Sequence, residues 1–448
     1  LVLLISTYDL GRQPFGLASP AAWLRRAGVD VITRDLSREP LAPDDVERAT
    51  LVGFYLPMHT ATRLALPVID RIHAARPELP ICAYGLYAPL NQDLVRDHGV
   101  TVVLGPEAEE DLVTWAGRTT GPTEREHLNL QISKSSNRQI PRLPFITPDR
   151  SGLPSLDRYA TLQMPDGTER VAGATDATRG CKHRCRHCPI VPVYDGQFRV
   201  VAVDTVLADI DQQVAAGAEH ITFGDPDFLN GPTHARRVVE ALHARHPPVT
   251  YDATIKVEHL LRHRDLLPVL ARTGCLFVTT AVESVDDHVL EQFEKNHTRA
   301  DFVEAVGLTR EVGLTLAPTF VAFTPWTTRD GYRDLLDTVA RLDLIDHVAP
   351  VQWGLRLLIT QGSRLLELAD IQRMAGAFDS RTLTYPWTHE DPRVDQLQQQ
   401  IAQLIGVGAT RSRRALFTEV SCLAGRRPQE DPYLARAAIP YLNEPWYC

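Results

Sequence analysis

Short β-rich runs spaced by helix-like stretches dominate this sequence, and they fix the fold class before any motif is considered. LVLLIST, VDVITR, LVGFYLP, LPICAYG and VTVVLG fall between Leu1 and about Ala116, separated by segments of helical pattern. Strands alternating with helices in this way predict a doubly wound parallel sheet. Gly105 ends the fifth run, and Glu107, Glu109, Glu110 and Asp111 then crowd the first turn of a helix, where acidic groups suit the dipole. A second alternation runs from Val171 to about Leu368 through VAGATDAT, HITFGD, VTYDATIKV, CLFVTTAVES, LTLAPTFVAFTP and HVAPVQWGLRLLI, each followed by a helical stretch. These units predict an open partial (β/α)6 barrel with its reactive face at the strand C-terminal ends. The stretch between loses periodicity and is rich in Pro, Ser and Arg, as a linker is. The expected organisation is an α/β Rossmann-like domain over 1–118, a linker over 119–172, the barrel over 173–368 and a helical C-terminal segment over 369–448.

At 448 residues, 44% hydrophobic and 23% charged, the chain is too long for one core. Its apolar stretch from Leu266 to Val282 is interrupted by Arg272, so nothing approaches the ~18–20 residues that cross a bilayer, and no membrane partner is expected. LVLLIST has neither a basic flank nor a small-residue cleavage site and reads as a first strand, not a signal peptide. A net charge of -9 provides no general field for nucleic acid, leaving only the local patch of Arg411, Arg413 and Arg414, which otherwise reads as a solvated face. Three of the seven cysteines fall within eight residues, which points to a metal site in a reducing, cytoplasmic setting, not a disulfide framework. Cys82 and Cys275 lie in strand runs and read as packing residues. Cys422 and Cys448 lie in the C-terminal segment, where a thiol reads as a ligand or a reactive group.

The segment RGCKHRCRHCP sets Cys181, Cys185 and Cys188 in a C-x3-C-x2-C spacing directly after the first barrel strand. Three thiolates on one tight loop can hold three irons of a cubane cluster and leave the fourth open. A zinc site, with His183 or His187 as the fourth ligand, is the alternative. Otherwise these histidines, with Lys182, Arg184 and Arg186, read as supporting or surface residues. Further candidates stand at successive strand ends: Gly224, Asp225 and Asp227 in FGDPDF, Thr254 and Lys256 in DATIKV, Glu283 and Ser284, and Arg356. The FGDPDF group suits an ammonium ligand, or is simply a strand-ending turn. Charges within parallel strands are costly unless they face a polar cavity, so Lys256, Glu283 and Arg356 together read as a site. Phe320 and Phe323 read as barrel packing.

These elements, in this order, resemble the radical S-adenosylmethionine (SAM) superfamily over roughly Pro144 to Leu368. The resemblance implies a reduced 4Fe-4S cluster on Cys181, Cys185 and Cys188 whose open iron chelates SAM. It further implies Gly224, Asp225 and Asp227 near the SAM amino group, Thr254 and Lys256 at the same mouth, Glu283 and Ser284 at the ribose, Arg356 at the carboxylate, and a reductase or flavodoxin as electron donor. The first domain resembles the cobalamin-binding domain that precedes many such barrels, in LPICAYG followed by GVTVVLGPEAEEDL. It departs from the family's D-x-H-x-x-G signature, since Asp9 is followed by Leu10 and Gly11 with no histidine before Gly16, and cobalamin is not expected as a required cofactor.

The final YLNEPWYC resembles the approach to the tail of radical SAM proteins with a C-terminal cysteine or selenocysteine, a group that includes the enzyme of arsinothricin biosynthesis. That resemblance implies transfer of the 3-amino-3-carboxypropyl group of SAM to trivalent arsenic, with Cys422 and Cys448 as soft ligands for an arsenite-type acceptor. Two other readings stay open. One is 5′-deoxyadenosyl-radical chemistry or cobalamin-assisted methyl or methylthio transfer to an organic or RNA substrate. The other is a non-catalytic iron-sulfur or metalloid-binding module.

Overall fold

The computed structural model describes residues 1–117, 143–407, 412–426 and 439–443. β1 (Val2–Ser6), β2 (Val31–Asp35), β3 (Leu51–Tyr55), β4 (Ile81–Tyr84) and β5 (Val102–Val103) form one sheet in the order β2-β1-β3-β4-β5, parallel throughout. β1 is buried along its whole length, as a central parallel strand must be. Its side chains alternate between two cores. Val2 and Leu4 pack with Leu17, Ala21, Leu24, Leu112 and Trp115 under the helices Phe15–Arg26 and Glu109–Gly117. Leu3 and Ile5 pack with Ala61, Ala65, Ile69 and Ile72 under the helix His59–Ala75 on the other face. The doubly wound architecture read from the sequence is present, with Cys82 fully buried in it.

The second sheet contains β6 (Thr161–Gln163), β7 (Glu169–Thr175), β10 (His220–Phe223), β11 (Thr250–Thr254), β12 (Cys275–Glu283), β13 (Thr315–Phe320) and β14 (Tyr441–Leu442), while β8 (Thr178–Gly180) and β9 (Phe198–Val200) form a separate ribbon. The order is β13-β12-β11-β10-β7-β6-β14. β7 and β10 to β13 are parallel, each joined to the next by a helical crossover, and the β6 hairpin strand runs antiparallel to β7. β6 and the start of β7 come from the stretch read as linker.

The sixth barrel strand is reduced to a single bridge. HVAPVQWGLRLLI was expected to form a strand, but it contains the 3-10 turn Pro350–Gly354, and its one strand-like pairing is the parallel bridge of Phe323 to Arg356. Two causes are visible. Pro350 lacks the N–H a strand donates, and Trp353, fully buried, is drawn between Phe320 and Phe417. Pro318 inside β13 likewise suits an edge strand. The C-terminal helices Pro392–Val407 and Arg413–Leu423 cover this edge.

Candidate active site

The cysteine loop starts where the β8–β9 ribbon leaves the barrel. Gly180, at the end of β8, has φ +76°, and a Cβ there would sit 2.6 Å from the Gln197 carbonyl oxygen and 2.4 Å from the Tyr194 ring, so only glycine lets the loop turn in. Asp225, just past β10, pins the loop's start by accepting from the Ala177 N–H at 2.9 Å and from the Thr178 hydroxyl. Burial, with the neighbouring Asp176 charge, pushes its carboxyl up to about 8.

Cys181 and Cys185 are buried and Cys188 is half-buried, and the Cys188 N–H donates to the Cys185 carbonyl at 3.2 Å. Burial pushes Cys181 up to about 11 and Cys188 up to about 12, with the Cys185 charge adding to both and the Cys181 charge adding to Cys188. Without a metal, the Cys181 and Cys188 thiols therefore keep their protons at neutral pH. Iron placed among them reverses that, which is the chemistry of a cluster ligand set, and the residues fit one.

Two lysines favour the anionic loop. Lys256, 5% exposed, points its ammonium at the Cys185 sulfur from 3.8 Å. Lys295 donates to Glu283 Oε1 at 3.2 Å and lies close enough to Cys185 and Cys188 for their charges to raise its pKa. Burial works to raise Glu283, yet Lys295 and His187, whose Nε2 lies 3.3 Å from the same oxygen, hold it down to about 2. Glu283 also takes φ +69°, at an irregularity in the β12–β13 register. A non-glycine residue held there at the mouth of a barrel is the kind of strain that marks functional sites. Ser284 follows it, half-buried, and Thr254 is half-buried at the end of β11.

The other residues expected at SAM have partners within the protein. Gly224 is pressed against Asp176, where a Cβ would lie 2.4 Å from Oδ1. Asp227 directs one oxygen to the Leu229 N–H and the other toward His183 and His259. Arg356 donates to Asp395 at 2.6 Å and to the Trp387 carbonyl at 2.7 Å and stacks 3.5 Å over the Trp387 ring, facing the C-terminal segment. Cys275 is buried at the far end of β12, and Cys422 is exposed on the helix Arg413–Leu423. Cys448 lies outside the described residues. Sequence reasoning missed Lys295, which comes from the turn after the helix Asp287–Gln292 and has no strand-end spacing to reveal it.

The two domains meet through charged side chains at their strand ends. Arg179, in β8, donates to Glu109 at 2.7 Å and to Ser19 at 3.1 Å, and lies over the rings of Phe15 and Phe145. Arg150 pairs with Asp209 at 2.7 Å and reaches Gln13 at 3.2 Å. Asp9, after β1, is pushed up to about 7 by burial against the pull of Arg12. The loop that would carry a cobalamin ligand is part of this seam: the Ala160 N–H donates to the Gly11 carbonyl at 2.8 Å. The Tyr55 ring also lies on Gly16, where a Cβ would meet it at 2.2 Å. With no imidazole between Asp9 and Gly16, a histidine-ligated cobalamin does not fit this loop.

Residues 176–339 match the family model for the radical SAM superfamily. Hopanoid C-3 methylase of Methylococcus capsulatus is 24% identical over 345 residues, which is 72% of this chain and 64% of that protein. The ribosomal protein uS12 methylthiotransferase RimO of the same organism is 26% identical over 215 residues, 43% of this chain and 49% of that protein. The chain thus spans under two thirds of the length of these curated relatives. Among solved structures, the cobalamin-dependent SAM radical enzyme OxsB with aqua-cobalamin bound superposes with a TM-score of 0.69 at 14% identity, covering 95% of this chain and 71% of that one. The radical SAM methyltransferase TsrM from Kitasatospora setae, with tryptophan and a SAM analogue bound, gives 0.60 at 17% identity over 76% of this chain and 71% of that one. Both likenesses establish the fold: a Rossmann-like sheet followed by a curled half-barrel.

Proposed function

Starting from a chain that carries a radical SAM domain over residues 176–339, we propose that it is a transferase that reductively cleaves SAM and passes a SAM-derived carbon group to a small-molecule acceptor. The observation that carries this reading is the grouping of Cys181, Cys185 and Cys188 with Lys256 and Lys295 at the barrel mouth. When bound, the cluster supplies the electron that splits a carbon–sulfur bond. The protein's own residues do the rest. Lys256 and Lys295 offset negative charge beside the thiolates. Glu283, ionised at neutral pH, together with Ser284 and Thr254 offers polar groups for a ribose and an ammonium. Asp225 holds the loop in place, and Gly224 lets β10 end close to Asp176. The module without turnover is disfavoured, because it gives no use to a strained, ionised Glu283 backed by a buried lysine.

The group transferred is the finer question. Transfer of 3-amino-3-carboxypropyl to trivalent arsenic rests on the tail resemblance and its thiols Cys422 and Cys448. β14 gives that reading a structural basis: it runs antiparallel to β6, hence parallel to β7, and Asn443 is fastened to Thr161 by bonds at 3.0 and 2.8 Å. The chain at Asn443 therefore heads along β7 toward the strand ends. Methyl transfer is the second reading. The names of the methyl-transferring relatives and the shared two-domain fold favour it, but this chain lacks the histidine that would ligate a cobalamin.

Products separate these readings. The anaerobically reconstituted, reduced protein is incubated with SAM, with or without arsenite, and analysed by mass spectrometry. Cleavage toward the amino acid side releases 5′-methylthioadenosine, radical cleavage toward the ribose releases 5′-deoxyadenosine, and methyl donation leaves S-adenosylhomocysteine. Arsenite-dependent 5′-methylthioadenosine supports the first reading. Failure to consume SAM, or equal consumption by a variant with all three loop cysteines changed to Ala, would sink the proposal as a whole.

A further inference from the structure

His183 sits in the loop between Cys181 and Cys185, Asp227 follows β10, and His259 lies in the helix Val257–Arg262 that follows β11. Their side chains converge. His183 Nε2 lies 3.3 Å and His259 Nδ1 2.7 Å from the same oxygen, Asp227 Oδ2. One ligand atom from each residue lies within 4.8 Å of the other two. The His183 side chain is 9% exposed and the other two are 0% exposed.

Despite these short distances, His183 Nε2, His259 Nδ1 and Asp227 Oδ2 all lack a hydrogen-bond partner. The contacts are close enough for hydrogen bonds but lie off the direction that a ring N–H needs. Three buried polar atoms turned toward one point and left unpaired call for something between them that takes all three lone pairs. A metal ion does this. Donors held 2.0–2.1 Å from a tetrahedral ion stand ~3.3 Å apart, which is the His183 to Asp227 separation, and the His259 contact needs to open only by a fraction of an ångström.

The surroundings are also those of a metal-bound imidazole. His183 presents its other nitrogen, Nδ1, to Glu258 Oε2 at 3.6 Å. Glu258 is held in turn by Arg262 at 2.8 Å and by Lys256 at 3.5 Å. A carboxylate at ion-pair distance behind the non-coordinating nitrogen stands where the supporting carboxylate of a ligating histidine is found.

We propose that His183, Asp227 and His259 bind one divalent metal ion of the zinc class, separate from the iron-sulfur cluster. Two imidazoles and a carboxylate are nitrogen and oxygen donors, whereas the cluster loop offers sulfur, so the two sites select different metals. The ion ties the loop between two cluster cysteines to the ends of β10 and β11. It accounts for an Asp227 directed at two histidines and for a histidine between the first two cysteines.

The test uses the full chain with its cluster fully assembled, so that the loop thiols are occupied, and titrates it with Co(II) as a spectroscopic stand-in for zinc. The expected result is a single equivalent of Co(II) with visible d–d bands, no thiolate-to-cobalt charge transfer, and displacement by Zn(II). His259→Ala and Asp227→Asn should lower Co(II) affinity by about a hundredfold or more, and Glu258→Gln by roughly ten- to a hundredfold, with cluster iron and absorbance kept. The parent protein alone decides the matter if a ligand variant misfolds. Absence of a nitrogen/oxygen-type Co(II) spectrum, a thiolate charge-transfer band, or unchanged affinity in Glu258→Gln and the ligand variants would each overturn the assignment and leave an imidazole–carboxylate cluster that serves packing alone.

Discussion

The Lys256 ammonium lies 3.8 Å from the Cys185 sulfur, on a side chain that is 95% removed from solvent and whose residue comes from the end of a different strand. A buried cation beside a sulfur ligand favours the more negative, reduced state of a cluster held there. Lys256→Met is expected to lower the cluster's reduction potential by on the order of 50 mV, equivalent to about 1 kcal/mol for one electron. SAM cleavage should slow while iron and sulfide content stay at parent level. Spectroelectrochemistry on the two proteins checks it, and an unchanged potential would mean that Lys256 serves SAM or Glu258 instead.

Arg179 is the main polar tie between the domains, pairing with Glu109 and Ser19 while lying over Phe15 and Phe145. Removing one partner of a buried pair strands the other charge, so Arg179→Ala should cost ~3–5 kcal/mol. Arg179→Lys keeps the charge but loses the planar stacking and one of two bonds, and should recover only part of that. Urea unfolding of the two variants, with limited proteolysis between the domains, provides the measurement.

The seam should also be pH-dependent. Burial, the largest cause for each, raises Asp9 from its ordinary 3.8 to about 7 and Asp225 to about 8. A carboxyl whose folded value exceeds its unfolded value holds its proton more tightly in the native state. Its contribution is fully present below about 4 and is lost as pH rises through the folded value. The melting temperature of the anaerobic protein should therefore fall as pH rises from about 4 to about 8, and Asp9→Asn should flatten the slope. A profile that is level over this range would show that both carboxylates are already ionised, Asp9 offset by the Arg12 charge and Asp225 held by hydrogen bonds from Ala177 and Thr178.

Under the arsenic reading proposed above, Cys448→Ala should abolish any arsenite-dependent product while leaving cluster content and reductive SAM cleavage intact. Cys82→Ala and Cys275→Ala are the controls. Both cysteines are buried among strands, and each change should cost about 1 kcal/mol of stability without altering products. Product analysis alongside thermal melts distinguishes the two kinds of effect.

The sequence by itself determined the two alternations of strand and helix, because a parallel strand buried on both faces must be apolar along its length and its crossover helix must show the longer period. It also marked the three candidate cluster thiols, because three thiols needed on one loop must be close in the chain. What it could not determine was direction. Asp227 and Arg356 stand at strand-end positions that look equivalent to those of Glu283 and Lys256, yet Asp227 turns to two histidines and Arg356 to Asp395. The sixth strand gave way to a turn because Trp353 found a core between Phe320 and Phe417 that no local pattern announces. Lys295 at Glu283 and Arg179 at Glu109 came together only through folding. Burial and pairing between distant segments set the pKa of a carboxylate and the aim of a cation, and those depend on neighbours that chain order does not place side by side.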